Sequence, residues 1–322
     1  MTKLDELVSV INVEHIYIQT HNFPDPDAIS SAFGLQNLLF FKGIKSTICY
    51  KGKIDRYNTR KMVELFNIEV VDVDTVNDLT EDDLIVLIDA QKGSGNTFDI
   101  VGREIACIDH HPTFENVDYI WSDIRPEVGA CASIIASYFF ENNIPMDNDV
   151  AESLLFGIKI DTADLGRGVS SLDLDMFYKI FKRTDRKKIG QLEKEVLQLE
   201  DLKAFANAID TIKINDNIGF ANTGDNCPEA LIATIADFML EIVDVNVAVV
   251  YSIKGEGIKI SVRCIRSSEY NAGQAILDAL KGIGTGGGHS TMAGGYVPLK
   301  KEMIPEDVVF EIQERFTKTI KK

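Results

Sequence analysis

Three short apolar runs each stop abruptly at a side chain able to hold a cation or move a proton. Residues 16–20 end at His21, Leu84-Ile85-Val86-Leu87-Ile88 ends at Asp89, and Ile105-Ala106-Cys107-Ile108 ends at Asp109-His110-His111. Apolar runs this short and continuous suit buried strands covered on both faces, the habit of parallel sheets. In open α/β sheets, ligands sit beyond the carboxyl ends of such strands. Unrelated structural roles would demand a separate hydrogen-bonding network for every one of these polar groups. One shared metal cluster satisfies them together.

The rest of the first half fits that frame. After the first strand comes His21-Asn22-Phe23-Pro24-Asp25-Pro26-Asp27, and then a helical pattern over 28–41 that stops near Gly43. The two prolines argue for a stiff loop rather than helix. His21, Asp25 and Asp27 can converge on a divalent ion, since imidazole nitrogen and carboxylate oxygen suit one. The same acids can instead make an Asx turn and a helix cap. A strand is expected over 46–50, a helix over 56–66 and an edge strand over 69–73. The segment 91–96 reads as a flexible polar turn. Helices are expected over 127–141 and from Asp147 to Asp161, where Asp161 either returns to the cleft or makes a helix-end hydrogen bond.

Helical patterns fill 171–209, and the basic cluster over 182–188 reads as a solvated helix end. Then come a strand over 212–221, a helix over 228–238, and paired strands over 245–251 and 257–264 around a glycine-containing turn. A helix over 272–280 leads into Gly284-Thr285-Gly286-Gly287-Gly288-His289, followed by a strand over 296–299 and a terminal helix. The glycine run lacks the Lys-Ser/Thr of a phosphate-binding loop and the strand-first setting of a dinucleotide fingerprint. It is a sharp turn or a place where backbone amides meet a phosphate.

Fifty acids against 33 bases give a formal charge of -17. That argues against broad binding to duplex DNA, while metals and a local basic pocket still admit a small phosphorylated substrate. Five scattered cysteines without a CxxC pair read as reduced core residues. No membrane span or signal peptide is evident, so a cytoplasmic location is expected.

In this order, the motifs resemble the DHH/DHHA1 phosphoesterase family. The resemblance rests on His21 to Ser31, on Asp89, on Asp109-His110-His111, on Ile160-Asp161-Thr162 and on Gly286-Gly287-Gly288-His289. It implies a two-lobed α/β protein: a larger, mostly parallel-sheet DHH domain over 1–190, a connecting helix or linker over 191–212, and a smaller mixed α/β DHHA1 domain over 213–322 that closes over the first. It implies two divalent cations, manganese first and magnesium or cobalt as substitutes. His21 and Asp25 serve one ion, Asp27, His110 and Asp161 the other, and Asp89 bridges both. Asp109 orients its neighbours and His111 faces the phosphate. Arg263, Gly286, Gly287, Gly288 and His289 contact substrate. Ser30 stands where a glycine is common, Ile160 where a threonine is common, and Met292 where an alanine is common.

The expected activity is metal-assisted hydrolysis of a phosphoester by water attacking in line with the leaving oxygen. The short chain resembles the branch that degrades very short single-stranded RNA and dephosphorylates 3′-phosphoadenosine 5′-phosphate. Alternatives are a linear or cyclic dinucleotide phosphodiesterase and a non-catalytic nucleotide-binding regulator. No membrane partner is expected, and a homodimer is allowed but not required.

Overall fold

The computed structural model describes residues 1–54, 56–113, 117–193, 197, 199–265 and 269–320. The chain divides into two compact units, Met1–Val196 and Leu197–Lys322.

In the first unit, the strands are β1 (His15–Gln19), β2 (Lys45–Tyr50), β3 (Val70–Asp72), β4 (Leu84–Ile88), β5 (Arg103–Asp109) and β6 (Trp121–Ile124). They form one sheet, ordered β3-β2-β1-β4-β5-β6. Every pairing is parallel. The strand order therefore reverses between β1 and β4, which opens a crevice at their carboxyl ends.

The helices are α1 (Lys3–Val10), α2 (Pro26–Phe41), α3 (Tyr57–Leu65), α4 (Cys131–Glu141), α5 (Asn148–Asp161), α6 (Ser171–Phe181) and the single turn α7 (Ile189–Leu192). Alternation along each strand explains the continuous apolar runs. Ile16, Ile18, Ile48, Val86, Ile88, Ala106 and Ile108 pack into the helical core formed largely by α2, α4 and α5. Tyr17, Cys49, Ile85, Leu87 and Cys107 point to the opposite face and are covered by Ile100, Val73, Val76 and Leu79 from irregular segments. Both faces are dry, but only one is helical.

Two sequence expectations need correcting here. The helix after the first loop starts at Pro26, not Ala28, because the first helical residue needs no amide hydrogen. The helix expected from residue 127 starts at Cys131, following an extended Ala130 without a capping side chain of its own. Strand β6 was not expected at all, since Trp121-Ser122-Asp123-Ile124 lacks an apolar run.

The second unit holds α8 (Asp201–Thr211), β7 (Lys213–Asn215), β8 (Ile218–Asp225), α9 (Glu229–Met239), β9 (Val247–Lys254), β10 (Gly257–Cys264), α10 (Ala272–Leu280), β11 (Thr285–Gly288), β12 (Met292–Pro298) and α11 (Pro305–Ile320). Its sheet is ordered β11-β12-β10-β9-β8-β7 and is mixed, with β8 and β9 parallel. Cores lie on both faces: one includes residues of α10 and α11, the other residues of α8 and α9. The strand expected over 212–221 is a hairpin instead. Asp216 and Asn217 both have positive φ, +48° and +63°, the signature of a tight primed turn. The helix expected to connect the domains is α8, which packs on β8 within this unit. The glycine run is neither a loop nor a sharp turn but the edge strand β11, paired antiparallel with β12.

Candidate metal centre

Three strand ends and two helix ends deliver the polar groups of the first unit to one place. His21 follows β1, Asp89 follows β4, and Asp109, His110 and His111 end β5. Asp25 is the N-cap of α2, Asp27 lies in its first turn, and Asp161 is the last residue of α5.

The histidines are oriented before any ion is considered. His21 Nδ1 lies 2.8 Å from the Asn22 carbonyl and His110 Nδ1 lies 3.1 Å from the Val128 carbonyl. A carbonyl only accepts, so each Nδ1 carries hydrogen and donates, and in the neutral ring each Nε2 presents a lone pair. Those lone pairs face carboxylates. His21 Nε2 is 3.6 Å from Asp89 Oδ2 and 3.9 Å from Asp25 Oδ1. His110 Nε2 is 3.3 Å from Asp89 Oδ1, 3.4 Å from Asp161 Oδ2 and 3.8 Å from Asp27 Oδ2.

Ligand atoms therefore converge in overlapping groups within 4.8 Å: His21, Asp25 and Asp89; Asp27, His110 and Asp161; and Asp89, Asp109, His110 and His111. Buried lone pairs facing one another without a donor between them need a cation. Asp89 Oδ1 makes the case most directly, being buried with no hydrogen-bond donor satisfying it. Ligands about 2.1 Å from an ion stand about 3.0–3.4 Å apart at tetrahedral to octahedral angles. The observed spacings need only a slight contraction. Mixed nitrogen and oxygen donors fit manganese, magnesium, zinc or cobalt better than a thiophilic metal.

The electrostatics agree. Burial opposes charge on His21, but Asp25 and Asp89 outweigh it and raise its pKa to about 9. His110 is also raised, with Asp89, Asp27 and Asp161 overcoming burial. Burial raises Asp161 to about 6, the acids Asp25 and Asp89 adding to it against the pull of His110. Asp27 is raised too, by burial and then by Asp89 and Asp161. Without a cation, the cluster holds protons instead.

Asp25 and Asp27 also perform the structural role that the sequence left open. Asp25 Oδ1 accepts from the amides of Asp27 and Ala28, at 3.0 and 3.1 Å. Asp27 caps a different helix: its carboxylate accepts from Cys131 N at 2.7 Å and Ala132 N at 2.9 Å, at the start of α4. Capping and ligation thus coexist on the same side chains.

Asp109 lies near Asp89 and His110, but both of its oxygens are already engaged by hydrogen bonds. Its Oδ1 accepts from the amides of His110 and His111 and lies 2.9 Å from His111 Nδ1. Its Oδ2 accepts from Gln91 Nε2 at 2.7 Å. Sequence reading missed Gln91, placing it in a flexible turn. It is buried, and its amide also donates to the His111 carbonyl. Arg56, likewise missed, brings a guanidinium nitrogen to 3.9 Å from Asp25.

The remaining predicted residues lie together in the second unit. Arg263, Gly286, Gly287, Gly288 and His289 line one groove of about 490 Å³, joined by Lys259 and Tyr296. Arg263 Nε donates to Asp237 Oδ1 at 2.9 Å. The glycines differ in purpose. A Cβ on Gly288, whose φ is +152°, would come within 2.4 Å of the Met292 carbonyl, and one on Gly286 within 3.0 Å of the Gly294 carbonyl. Gly287 has open space, so close packing explains two of the three.

Comparison with known proteins agrees with this architecture. The model of the DHH family, N-terminal domain, matches residues 15–158, and that of the DHHA1 domain matches residues 215–322. An uncharacterized protein of Methanocaldococcus jannaschii, MJ1633, is 31% identical over 287 residues, covering 88% of this chain and 58% of that protein. A probable manganese-dependent inorganic pyrophosphatase of Streptococcus thermophilus is 29% identical over 150 residues, 46% of this chain and 48% of the enzyme. The chain thus spans about half the length of these relatives. A crystal structure of an exopolyphosphatase-related protein from Bacteroides fragilis superposes with a TM-score of 0.76 at 16% identity, covering 99% of this chain and 96% of that one. The paired domain matches, in the order the fold displays, give this chain a DHH N-terminal domain followed by a DHHA1 domain.

Proposed function

We propose that the protein is a two-cation phosphoesterase that hydrolyses short oligoribonucleotides, 3′-phosphoadenosine 5′-phosphate or both. The observation that carries this reading is the sharing of Asp89: one oxygen faces His21 and the other faces His110, between two three-residue ligand groups. A structural metal site would close its shell on one ion. Two adjoining groups with a common carboxylate suit an in-line displacement at phosphorus.

In this reading, His21, Asp25 and Asp89 hold one ion, and Asp27, His110, Asp161 and Asp89 the other. When bound, the cations activate water and neutralise charge on the phosphoryl oxygens. The manganese preference is supported by the relative named for manganese dependence. Asp109 accepts the His111 Nδ1 hydrogen and favours the imidazolium, whose Nε2–H edge is turned toward substrate. His111, with 34% of its side chain exposed, is more open than His21 or His110. It stabilises charge on the phosphoryl group. In the second unit, Arg263, the β11 glycines and His289 line a groove that would take a nucleotide or a very short strand. The groove's volume is that of a small-molecule pocket, which favours a nucleotide or a very short strand.

The test is a manganese-dependent time course on tri- to pentaribonucleotides, 3′-phosphoadenosine 5′-phosphate, linear and cyclic dinucleotides and pyrophosphate, with every product identified. Turnover of either of the first two classes supports the proposal. Cleavage confined to linear or cyclic dinucleotides or to pyrophosphate overturns the substrate assignment, and nucleotide binding without turnover of any substrate overturns the enzyme.

A further inference from the structure

The His110 and Asp27 side of the centre depends on one short segment, residues 128–133. The Val128 carbonyl receives the His110 ring N–H, and the Cys131 and Ala132 amides hold both oxygens of Asp27. The segment in turn needs an anchor, because Ala130 gives α4 no side-chain cap.

Asp173, in the first turn of α6, supplies one. Its carboxylate is fully buried. Oδ2 accepts from Gly129 N at 2.8 Å and Oδ1 accepts from Ser133 Oγ at 2.5 Å. The carboxylate therefore grips the segment on both sides of the amides that hold Asp27, and its Gly129 contact falls on the same peptide unit as the Val128 carbonyl that holds His110. On its own helix, Oδ2 also accepts from Ser170 N at 2.7 Å and Ser170 Oγ at 2.6 Å. With the Asp173 amide donating to Ser170 Oγ at 3.3 Å, the Ser170 N bond completes a capping box that fixes the Asp173 rotamer. Gly129 seals the junction: a Cβ there would lie 2.8 Å from the Gly168 carbonyl and 2.9 Å from Thr162 Cγ2. Thr162 directly follows Asp161, so all three ligands of this group border the clamped segment.

We infer that Asp173 is a positioning residue for the ion held by Asp27, His110 and Asp161, acting through residues 128–133, and that the ion held by His21 and Asp25 does not depend on it. The inference rests on the ligand assignment proposed above. Among the described residues no hydrogen bond links 128–133 to His21 or Asp25, so the dependence is one-sided. Direct partners of the ligands typically change metal affinity by about 10–100-fold, and Asp173, one step further out, is expected at the lower end of that range.

The test uses the full chain and Mn2+ alone, followed by calorimetry and by electron paramagnetic resonance of free Mn2+. His21→Ala isolates the Asp27 group, and His110→Ala isolates the His21 group. In the His21→Ala background, Asp173→Ala is expected to raise the Mn2+ dissociation constant by about tenfold. In the His110→Ala background the change should stay within about twofold, as for uncoupled sites. Asp173→Asn should largely restore binding: its amide oxygen can serve Gly129 and Ser170 while its NH2 meets Ser133 Oγ. Equal weakening in both backgrounds, or none in either, overturns the inference. Should Asp173→Ala fail to fold, Ser133→Ala carries the same comparison, with a smaller one-sided loss expected and a symmetric or absent loss overturning it. A parent chain that binds no Mn2+ overturns the ligand assignment itself, a different result from symmetric weakening.

Discussion

His111 Nδ1 lies 2.9 Å from Asp109 Oδ1, and that same oxygen also receives the amides of His110 and His111. The carboxylate is thereby committed to orientation, with its second oxygen held by Gln91. Burial favours the neutral acid, but His111 and Gln91 prevail and keep Asp109 below the usual carboxylate range. Burial likewise opposes charge on His111, and Asp109 reverses it. Asp109→Asn should therefore lower kcat for phosphate release by about 10–100-fold while leaving the Mn2+ stoichiometry unchanged. Since His111 is protonated only below its raised pKa, activity that needs the imidazolium falls as pH rises through it. In the variant that alkaline limb should move to lower pH. A pH–rate profile on both proteins checks this.

Proton and cation compete for the same groups, which fixes a second pH dependence. His21, raised to about 9, contributes stability to the cation-free chain that is complete below its unfolded value of 6.5 and lost as pH rises through 9. Asp161, raised to about 6, behaves alike: its contribution is complete below 3.8 and lost through 6. Both signs agree. The cation-free protein should lose thermal stability progressively between about pH 4 and 9, and Mn2+ should restore it. Mn2+ affinity should rise with pH over the same window because binding expels protons. Melting curves with and without Mn2+, and calorimetry at pH 7 in buffers of different ionisation enthalpy, measure the two effects. A cation-free melting temperature that rises toward pH 9 would contradict this electrostatic picture.

Asp89 adds backbone strain to its electrostatic role. Its φ is +52°, a left-handed conformation uncommon outside glycine, asparagine and aspartate, and its amide donates to the Ile108 carbonyl at 2.9 Å. Asp89→Gly removes that strain and one charge from a cluster of acids. The cation-free chain should gain about 1 kcal/mol, or about 2–4 °C in Tm. Phosphoesterase activity should nevertheless drop more than about 100-fold, since both ions lose a ligand. Asp89→Ala, which keeps the strain, should be less stable than Asp89→Gly. Denaturation without metal and product release with it separate the two effects.

The legible parts of this molecule were those that depend on local pattern. Strands β4 and β5 announced themselves because both faces are apolar, and their ends pointed to Asp89 and Asp109 through a rule about strand termini. What escaped notice depends on distant partners. Asp27 caps a helix 104 residues away, so neither the start of α4 nor the second duty of Asp27 can be read from adjacent residues. Gln91 resembles any polar loop residue until Asp109 is placed beside it. The glycine run misled because glycine suggests a turn, whereas α10 packing against β11 requires the missing side chains. Gly273 of α10 shows the tightness: a Cβ there would lie 2.4 Å from the Gly288 carbonyl.

Long-range packing also sets how α2 meets α5. Ser30 of α2 is fully buried against Gly157 of α5. A Cβ on Gly157 would fall 2.2 Å from Ser30 Oγ and 3.2 Å from Asp27 Oδ1. Thus a side chain on α2 is accommodated by the absence of one on α5, next to a proposed ligand. Gly157→Ala should destabilise the chain by about 1–3 kcal/mol, the usual cost of overpacking, despite alanine's better helix propensity. Displacement of Asp27 should also weaken Mn2+ binding. Adding Ser30→Gly removes the clashing hydroxyl. It should recover most of the stability and the Mn2+ affinity, less the cost of about 0.5 kcal/mol for glycine within α2. A thermodynamic cycle over the four proteins, by denaturant unfolding, checks the coupling. Additive effects of the two substitutions would show that the contact between Ser30 and Gly157 does not set the separation of α2 and α5.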